Sequence, residues 1–310
     1  MKNGDGNDMS LANWLLLILT AATFASSLFF NHVIVAEIPP ITVAALRAVL
    51  ACPLAWLIMR GLGHRPPSAA GDRKALLVAG LGLVVVPFTA IAWGQQYIPS
   101  GLGGILYGMM PLFTIVAAHF LVADEPMTVR KLAGVLLGIC GIIFVVGPST
   151  LVGLSDHLAG ELITLIAPAS YALGSIYLRR YRHIHPLVVT AGMFIGSSLV
   201  LIPVSLLVEG PWPGAILSRS MVAALCGLAV IGTAAPALLN YMLLQRAGVT
   251  NASLVMFFMP TFAVAFGAAL LNETLQGRTL LGMSLILAGS LLVTRARRPP
   301  AIEEVRDARP

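Results

Sequence analysis

Residues 93–111 read WGQQYIPSGLGGILYGMMP, and residues 242–260 read MLLQRAGVTNASLVMFFMP. Each stretch has a Gln near its start, small or polar residues in its middle, and Met-Pro at its end. The second stretch begins 149 residues after the first. Two matched interruptions of an otherwise apolar chain predict an internal repeat, and this repeat determines the fold.

The composition around these stretches is that of a membrane protein. The chain has 310 residues, of which 58% are hydrophobic and 10% are charged, and its mean hydropathy is +0.90. Soluble domains are about a quarter charged, and a helix needs about 20 apolar residues to cross a bilayer. We expect an all-α polytopic membrane protein with ten transmembrane helices. The predicted spans are 13–35, 41–60, 74–96, 100–122, 130–148, 158–179, 186–208, 220–244, 250–271 and 278–295.

The basic residues predict the orientation of these spans. With the N-terminus in the cytoplasm, the inner loops and the two tails contain 16 of the 19 Lys and Arg residues. Arg219 and Arg278 are left outside, and Arg47 lies within the second span. Because basic loops stay on the cytoplasmic side, we expect a multi-pass protein of the inner (cytoplasmic) membrane with both termini cytoplasmic. The first span is expected to be a retained helix rather than a removed signal peptide.

The repeat extends well beyond the two quoted stretches. A shift of 149 residues aligns Pro87 with Pro236 and Pro111 with Pro260. After one deleted residue, the pattern E-x4-R-x-L-x-G-x2-L-x3-G-x3-V follows from Glu125 and again from Glu273. The chain therefore divides into residues 1–149 and 150–310, each with five helices. Because five is odd, the second half enters the membrane from the opposite side. The repeats are therefore inverted, as in many secondary transporters.

Four stretches resemble a known family. They are MMPLFTIVAAHFLVADEP (109–126), KLAGVLLGICGIIFVVG (131–147), MPTFAVAFGAALLNETL (259–275) and LLGMSLILAGSLLV (280–293). They are similar to the drug/metabolite transporter superfamily, specifically its ten-helix EamA-type exporters, and the overall pattern is most like the bacterial aromatic amino-acid exporters. The resemblance implies export of small metabolites by alternating access, with amino acids, aromatic or other neutral, as the first substrate class. Nucleobases, drugs and other small amphipathic compounds are the alternatives within the superfamily.

A carrier of this kind binds its substrate near the midplane, where the two repeats meet. The matched prolines predict helix kinks at that level, because proline leaves a carbonyl of the preceding turn without its helical partner. The predicted kink or gating residues are Pro87, Pro111, Pro236, Pro260 and Arg47. Arg47 could hold a substrate carboxylate, or it could stabilise carbonyl ends and the outer gate.

The predicted substrate-binding residues are hydroxyls, amides and aromatic rings at suitable depth, a combination that suits an amphipathic molecule. They are Phe24, Ser27, Thr89, Trp93, Tyr107, Ser170, Tyr171, Asn240 and Tyr241. Acidic residues lie near helix ends, in loops or in tails, which favours a neutral or zwitterionic substrate over a cation. Proton coupling, sodium coupling and facilitated diffusion all remain open.

Other classes of protein have weaker support. Gly196-Ser197-Ser198 could mimic the nucleophile of an intramembrane enzyme, but no midplane histidine is available as its base. No metal-ligand spacing, cofactor motif or nucleic-acid partner is indicated. We therefore expect a small-molecule substrate and the lipid bilayer as partners, and no cofactor. Gly104, Gly108, Gly134 and Gly138 are expected to allow close helix packing. The fifth and tenth helices are expected to be peripheral and could pack a homodimer, so both a monomer and a homodimer remain open.

Overall fold

The computed structural model describes residues 10–122, 127–146, 156–212, 218–274 and 276–295. Every regular element within these ranges is helical. The ten helices are α1 (Leu11–Val35), α2 (Pro40–Gly61), α3 (Ala70–Gly94), α4 (Ser100–Leu121), α5 (Val129–Val146), α6 (Asp156–Leu178), α7 (Pro186–Val208), α8 (Arg219–Gly248), α9 (Val255–Leu271) and α10 (Gly277–Arg295).

The predicted fold class, an all-α polytopic membrane protein, is confirmed. Within the described residues, seven helices (α1–α4 and α6–α8) are long and apolar enough to cross a membrane, and α9 and α10 are shorter apolar helices. The helix ends differ from the predicted spans by at most five residues. The largest difference is at the start of α9, which lies after a non-helical residue, Gly248 (φ 77°).

Two π-helical turns occupy equivalent places in the two halves. One covers Leu81–Val85 in α3, and the other covers Val230–Ala234 in α8, with a displacement of 149 residues. In each turn a backbone N–H reaches the carbonyl five residues back, from Val86 to Leu81 and from Ala235 to Val230. A proline then follows. The wide turns are therefore the local form of the predicted proline kinks.

The other proline pair acts differently in its two helices. Helix α4 is interrupted at Gly108 and Met109, immediately before its second segment begins at Met110. The Gly108 carbonyl at this break accepts a hydrogen bond of 3.1 Å from Ser290 Oγ on α10. Helix α9 instead continues through Pro260. Of the two predicted kinks, only the first interrupts its helix.

The packing of α5 against α10 shows the inversion of the repeat directly. A Cβ atom on Gly134 would lie 2.7 Å from the Gly289 carbonyl oxygen, and one on Gly141 would lie 2.8 Å from that of Gly282. The repeat pairs Gly134 with Gly282 and Gly141 with Gly289. Each glycine thus meets the counterpart of the other, as an antiparallel, two-fold arrangement requires. The glycines serve packing within the chain, and a homodimer remains a prediction.

We expect a side chain at this crossing to destabilise the protein. In Gly141→Leu the new atoms would meet both the Gly282 carbonyl and Ile286 Cγ1 (2.7 Å). Overpacking of this kind costs about 1–3 kcal/mol. Thermal stability of the detergent-solubilised protein, followed by size-exclusion chromatography, should fall for Gly141→Leu. The control is Gly277→Leu, where a Cβ meets nothing within 4 Å. Equal stability of the two variants would contradict the assigned crossing.

Candidate substrate-binding site

A cavity of about 230 Å³ lies between the two halves. Its walls come from α1, α2, α3 and α4 of the first half and from α6, α7, α8 and α9 of the second, while α5 and α10 pack outside it. The side chains that define its chemistry are Phe24, Ser27, Arg47, Phe88, Tyr107, Tyr171, Thr190, Phe194, Thr233, Asn240, Tyr241 and Met259.

The structure brings most of the predicted residues to this cavity. Six of the nine predicted substrate-binding residues line it, namely Phe24, Ser27, Tyr107, Tyr171, Asn240 and Tyr241, and Arg47 lines it as well. The rings of Tyr107 and Tyr171, one from each half, meet edge to face with centroids 5.4 Å apart. They form an aromatic wall across the boundary of the repeat.

Three predicted residues, Thr89, Trp93 and Ser170, lie outside the lining. Thr89 is absent from the lining, although the neighbouring Phe88 faces the cavity. Trp93 is 43% exposed on the outside of the helix bundle. Ser170 Oγ donates a hydrogen bond of 2.7 Å to the Gly82 carbonyl in the π turn of α3. The hydroxyl of Ser170 therefore donates to a backbone carbonyl that has no helical donor in the π turn.

Two lining residues that the sequence reasoning missed are repeat partners of residues that it found. A shift of 149 residues relates Ile91 to the candidate Asn240, and a shift of 147 relates Phe194 to the candidate Arg47. Applying the repeat to the candidates would have identified both partners. A shift of 149 also relates Val84 to Thr233, which line the cavity as well, but neither of these two residues was a candidate. In each pair one member is polar and the other apolar, so the cavity has symmetric positions but asymmetric chemistry.

Arg47 carries the buried charge of the site. It is only 6% exposed, and its Nε donates to Thr233 Oγ1 at 2.9 Å. Its Nη2 donates to the Gly232 carbonyl at 3.3 Å, which is the carbonyl four residues before Pro236. The guanidinium carbon also lies 3.7 Å from the centroid of the Phe88 ring, a cation–π contact. Arg47 thus links α2 to the π turn of α8.

The charge of Arg47 has no ionic partner among the described residues. Within those ranges its hydrogen bonds go to one hydroxyl and one carbonyl, and no carboxylate lines the cavity. A guanidinium has five N–H donors, so donors remain for a ligand. An unpaired cation in a mainly apolar cavity favours a ligand with an anionic group.

Two carboxylates join the halves on the side where α2 and α4 begin. Glu209, at the end of α7, accepts hydrogen bonds from Ile41 N (2.9 Å), Thr42 N (2.7 Å) and Thr42 Oγ1 (2.7 Å). Glu273, after α9, accepts from Ser100 N (2.6 Å) and Gly101 N (2.9 Å). Both of these carboxylates belong to the second half, and each caps a helix N-terminus of the first half, where negative charge is stabilising.

A buried amide pair lies on this same side. Asn31 Nδ2 donates to Gln95 Oε1 at 2.6 Å, and Gln95 Nε2 donates to the Leu28 carbonyl at 3.1 Å. Together with the two carboxylate caps, this pair closes the side that we call the capped side. The opposite side carries the loops with Arg60, Arg65 and residues 179–185, and we call it the basic side.

The cavity extends toward the basic side. There its lining includes Pro186, Leu187 and Thr190 at the start of α7, and Tyr241 and Leu244 in the second part of α8. On the basic side, the start of α7 and the second part of α8 pack only sparsely against each other. The structure therefore has its mouth on the basic side and its seal on the capped side.

Comparison with known proteins decides the family. The sequence pattern of the EamA-like transporter family matches residues 12–147 and again residues 158–295. The chain belongs to the EamA-like transporter family. This membership identifies it as a multi-pass membrane transporter and points away from an enzyme. It also confirms the predicted relationship to the drug/metabolite transporter superfamily.

Similar proteins cover almost the whole chain. An uncharacterized inner membrane transporter of Escherichia coli, YedA, is 26% identical over 94% of this chain and 97% of its own length. An uncharacterized transporter of Archaeoglobus fulgidus is 29% identical over 92% of this chain and 98% of its own. A crystal structure that is 19% identical superposes with a TM-score of 0.65 over 93% of this chain and 99% of its own, which shows a shared fold.

The carboxylate caps generate a testable expectation for the seal. Glu209→Gln keeps an acceptor oxygen but loses the charge that strengthens three hydrogen bonds, so we expect a loss of about 1–3 kcal/mol of stability. Thermal unfolding of the purified protein measures this loss. Glu37→Gln, an exposed carboxylate in the loop before α2, is the matched control and should change stability little. Equal shifts for both variants would contradict the role of Glu209.

Proposed function

We propose that this transporter exports small amphipathic metabolites that carry a carboxylate, with neutral and aromatic amino acids as the first class, by alternating access across the cytoplasmic membrane. The observation that carries the proposal is the buried guanidinium of Arg47, which faces an aromatic cavity without an ionic partner in the described residues. A carboxylate would supply the missing negative charge and accept the remaining N–H donors.

The size of the cavity supports a metabolite rather than a large drug. Its volume of about 230 Å³ lies below the roughly 300–1,000 Å³ that is common for drug-sized ligands. The rings of Tyr107, Tyr171, Phe88 and Phe194 offer apolar faces for a side chain. The Asn240 carbonyl and the tyrosine ring faces can receive an ammonium group. A zwitterion with one apolar substituent therefore matches the lining.

The two sides of the cavity support alternating access. The mouth faces the basic side, and basic loops are retained in the cytoplasm, so we assign both termini and the mouth to the cytoplasm. In this inward-facing state the capped side is held by Glu209, Glu273 and the Asn31–Gln95 pair. Export requires these contacts to separate while the basic side closes. The π turns of α3 and α8 are suitable points for that bending.

A transport assay with matched ligands tests the role of Arg47. Proteoliposomes containing the wild-type protein should exchange labelled tyrosine, and unlabelled tyrosine should compete much better than tyramine, which lacks the carboxylate. Loss of a charge-assisted hydrogen bond costs about 1.5–3 kcal/mol, which corresponds to roughly 10- to 100-fold in affinity. In Arg47→Gln the affinity for tyrosine should fall by that factor, and the preference over tyramine should disappear.

The controls separate binding from folding. Arg219→Gln, at the start of α8 and exposed outside the cavity, should transport like the wild type, and size-exclusion profiles confirm that each variant is folded. Equal competition by tyrosine and tyramine in the wild type would contradict carboxylate recognition. If a panel of amino acids crossed no faster than through empty liposomes, amino-acid export would be wrong, and nucleobases and drugs would be the next panel.

A further inference from the structure

Two histidines lie together at the mouth of the cavity on the basic side. His64, in the loop between α2 and α3, and His185, immediately before α7, have stacked rings with centroids 3.6 Å apart and an interplanar angle of 21°. His185 Nε2 also lies 3.3 Å from the hydroxyl oxygen of Tyr241 on α8. Since Tyr241 lines the cavity, this cluster bridges the sparsely packed ends of α7 and α8.

The geometry determines where the proton of His185 lies. The backbone N–H of Leu187 donates to His185 Nδ1 at 3.3 Å, so Nδ1 must be unprotonated in this structure. In a neutral imidazole the other nitrogen then carries the hydrogen. His185 Nε2 is therefore the donor to the Tyr241 hydroxyl. Only the neutral ring in this one tautomer can accept from Leu187 and donate to Tyr241 at the same time.

A second proton on His185 conflicts with the contacts that hold the ring at the start of α7. Nε2 keeps its hydrogen in either form, so the Tyr241 contact is lost only when the ring leaves this position. A hydrogen on Nδ1 would point at the N–H of Leu187, so the cap at the start of α7 would be lost. The positive charge would also lie at a helix N-terminus, where the macrodipole is unfavourable to cations, and against the stacked ring of His64. Consistent with these contacts, burial and the neighbouring His64 lower the pKa of His185 below its ordinary value.

The charged surroundings do not offset this conflict. On neighbouring elements the charged and titratable groups are Arg60, Arg65, Asp72, Arg73, Lys74, Arg179, Arg180, Tyr181, Arg182, His183 and Arg246. Asp72, the acidic member of this set, is already bound by His183 Nε2 at 3.0 Å. The other charges are positive and disfavour a further cation at His185.

We propose that His64, His185 and Tyr241 form a proton-binding latch that narrows the basic-side mouth, as in this structure, when His185 is neutral and widens it when Nδ1 of His185 takes up a proton. The latch rests on the proposed function only in treating the cavity as the path of the substrate. It adds a proton site to a transporter whose cavity is lined by no carboxylate within the described residues.

The direction of the pH dependence follows from the lowered pKa. The neutral, latched form is fully stabilised above about pH 6.5, the ordinary value for histidine. Its stabilisation declines as the pH falls below that value, and the loss is complete below the lowered pKa of His185. Access to the cavity from the basic side should therefore increase on acidification.

Cysteine accessibility tests the latch without any substrate. Cys52, Cys140 and Cys226 are first replaced by Ala, and Met259→Cys then places a thiol deep in the cavity, where Met259 is 2% exposed. Its rate of alkylation by a polar maleimide is divided by that of Ser68→Cys, an exposed loop position, which corrects for thiol ionisation. The ratio should rise about fivefold between about pH 8 and about pH 5, the effect of losing one ordinary hydrogen bond.

Single variants assign the effect to the cluster. His185→Gln and Tyr241→Phe should give a high ratio at both pH values, whereas His183→Gln, two residues away in the same loop, should keep the wild-type dependence. Hydrogen exchange at the imidazole carbon, measured by mass spectrometry, should give His185 of the wild type a titration midpoint below the ordinary histidine value, and this measurement needs no variant to fold. A flat ratio in the wild type, or one abolished by His183→Gln but retained in His185→Gln, would overturn the latch. Because no substrate is used, failure of the latch would not affect the proposed function, which the transport assay tests separately.

Discussion

The contact between Arg47 and the π turn of α8 joins the two halves at the centre of the protein. A guanidinium buried within a membrane bundle is costly unless polar groups surround it. Those groups exist because Pro236 leaves the Gly232 carbonyl without a helical donor, and because Thr233 lies beside it. The proline, the wide turn and the arginine therefore depend on one another. Helix α1 also approaches this turn closely, since a Cβ on Gly232 would lie 2.9 Å from Ser27 Cα.

The inverted repeat determines where the helices lie, and sequence differences between the two halves determine which cavity side chains are polar. The glycine crossing of α5 with α10 and the paired π turns keep the two-fold relationship. Within the cavity the same relationship pairs Arg47 with Phe194 and Asn240 with Ile91. In each pair a polar side chain in one half corresponds to an apolar side chain in the other half. A ligand with a charged end and an apolar end would therefore bind in one orientation.

Much of this could be predicted from the sequence because the signals are periodic. Ten apolar runs give the helices, and matched prolines and glycines give the repeat. Arg47 is conspicuous because a basic residue inside a span is rare. The depth of a residue in the membrane also follows from its position within its predicted span, and Tyr107 and Tyr171 are predicted to lie at similar depth.

The direction in which each side chain points could not be predicted in the same way. A π turn contains one residue more than an α-helical turn, and successive side chains of a helix are about 100° apart around its axis. The extra residue therefore changes which of the following side chains face the cavity. After the turn in α3, Phe88 and Ile91 therefore face the cavity, while Thr89 and Trp93 do not. The capping by Glu209 and Glu273 was also missed, because each joins elements that are far apart in sequence. Tertiary neighbours decide both features.

The central claim is that a carboxylate binds Arg47 inside a cavity built from both repeats. An experimental structure of the protein with a bound amino acid tests it most directly. We expect the ligand carboxylate within hydrogen-bonding distance of the Arg47 guanidinium, and its side chain against the wall formed by Tyr107 and Tyr171. A ligand bound elsewhere, or one in this cavity with its carboxylate turned away from Arg47, would contradict the account.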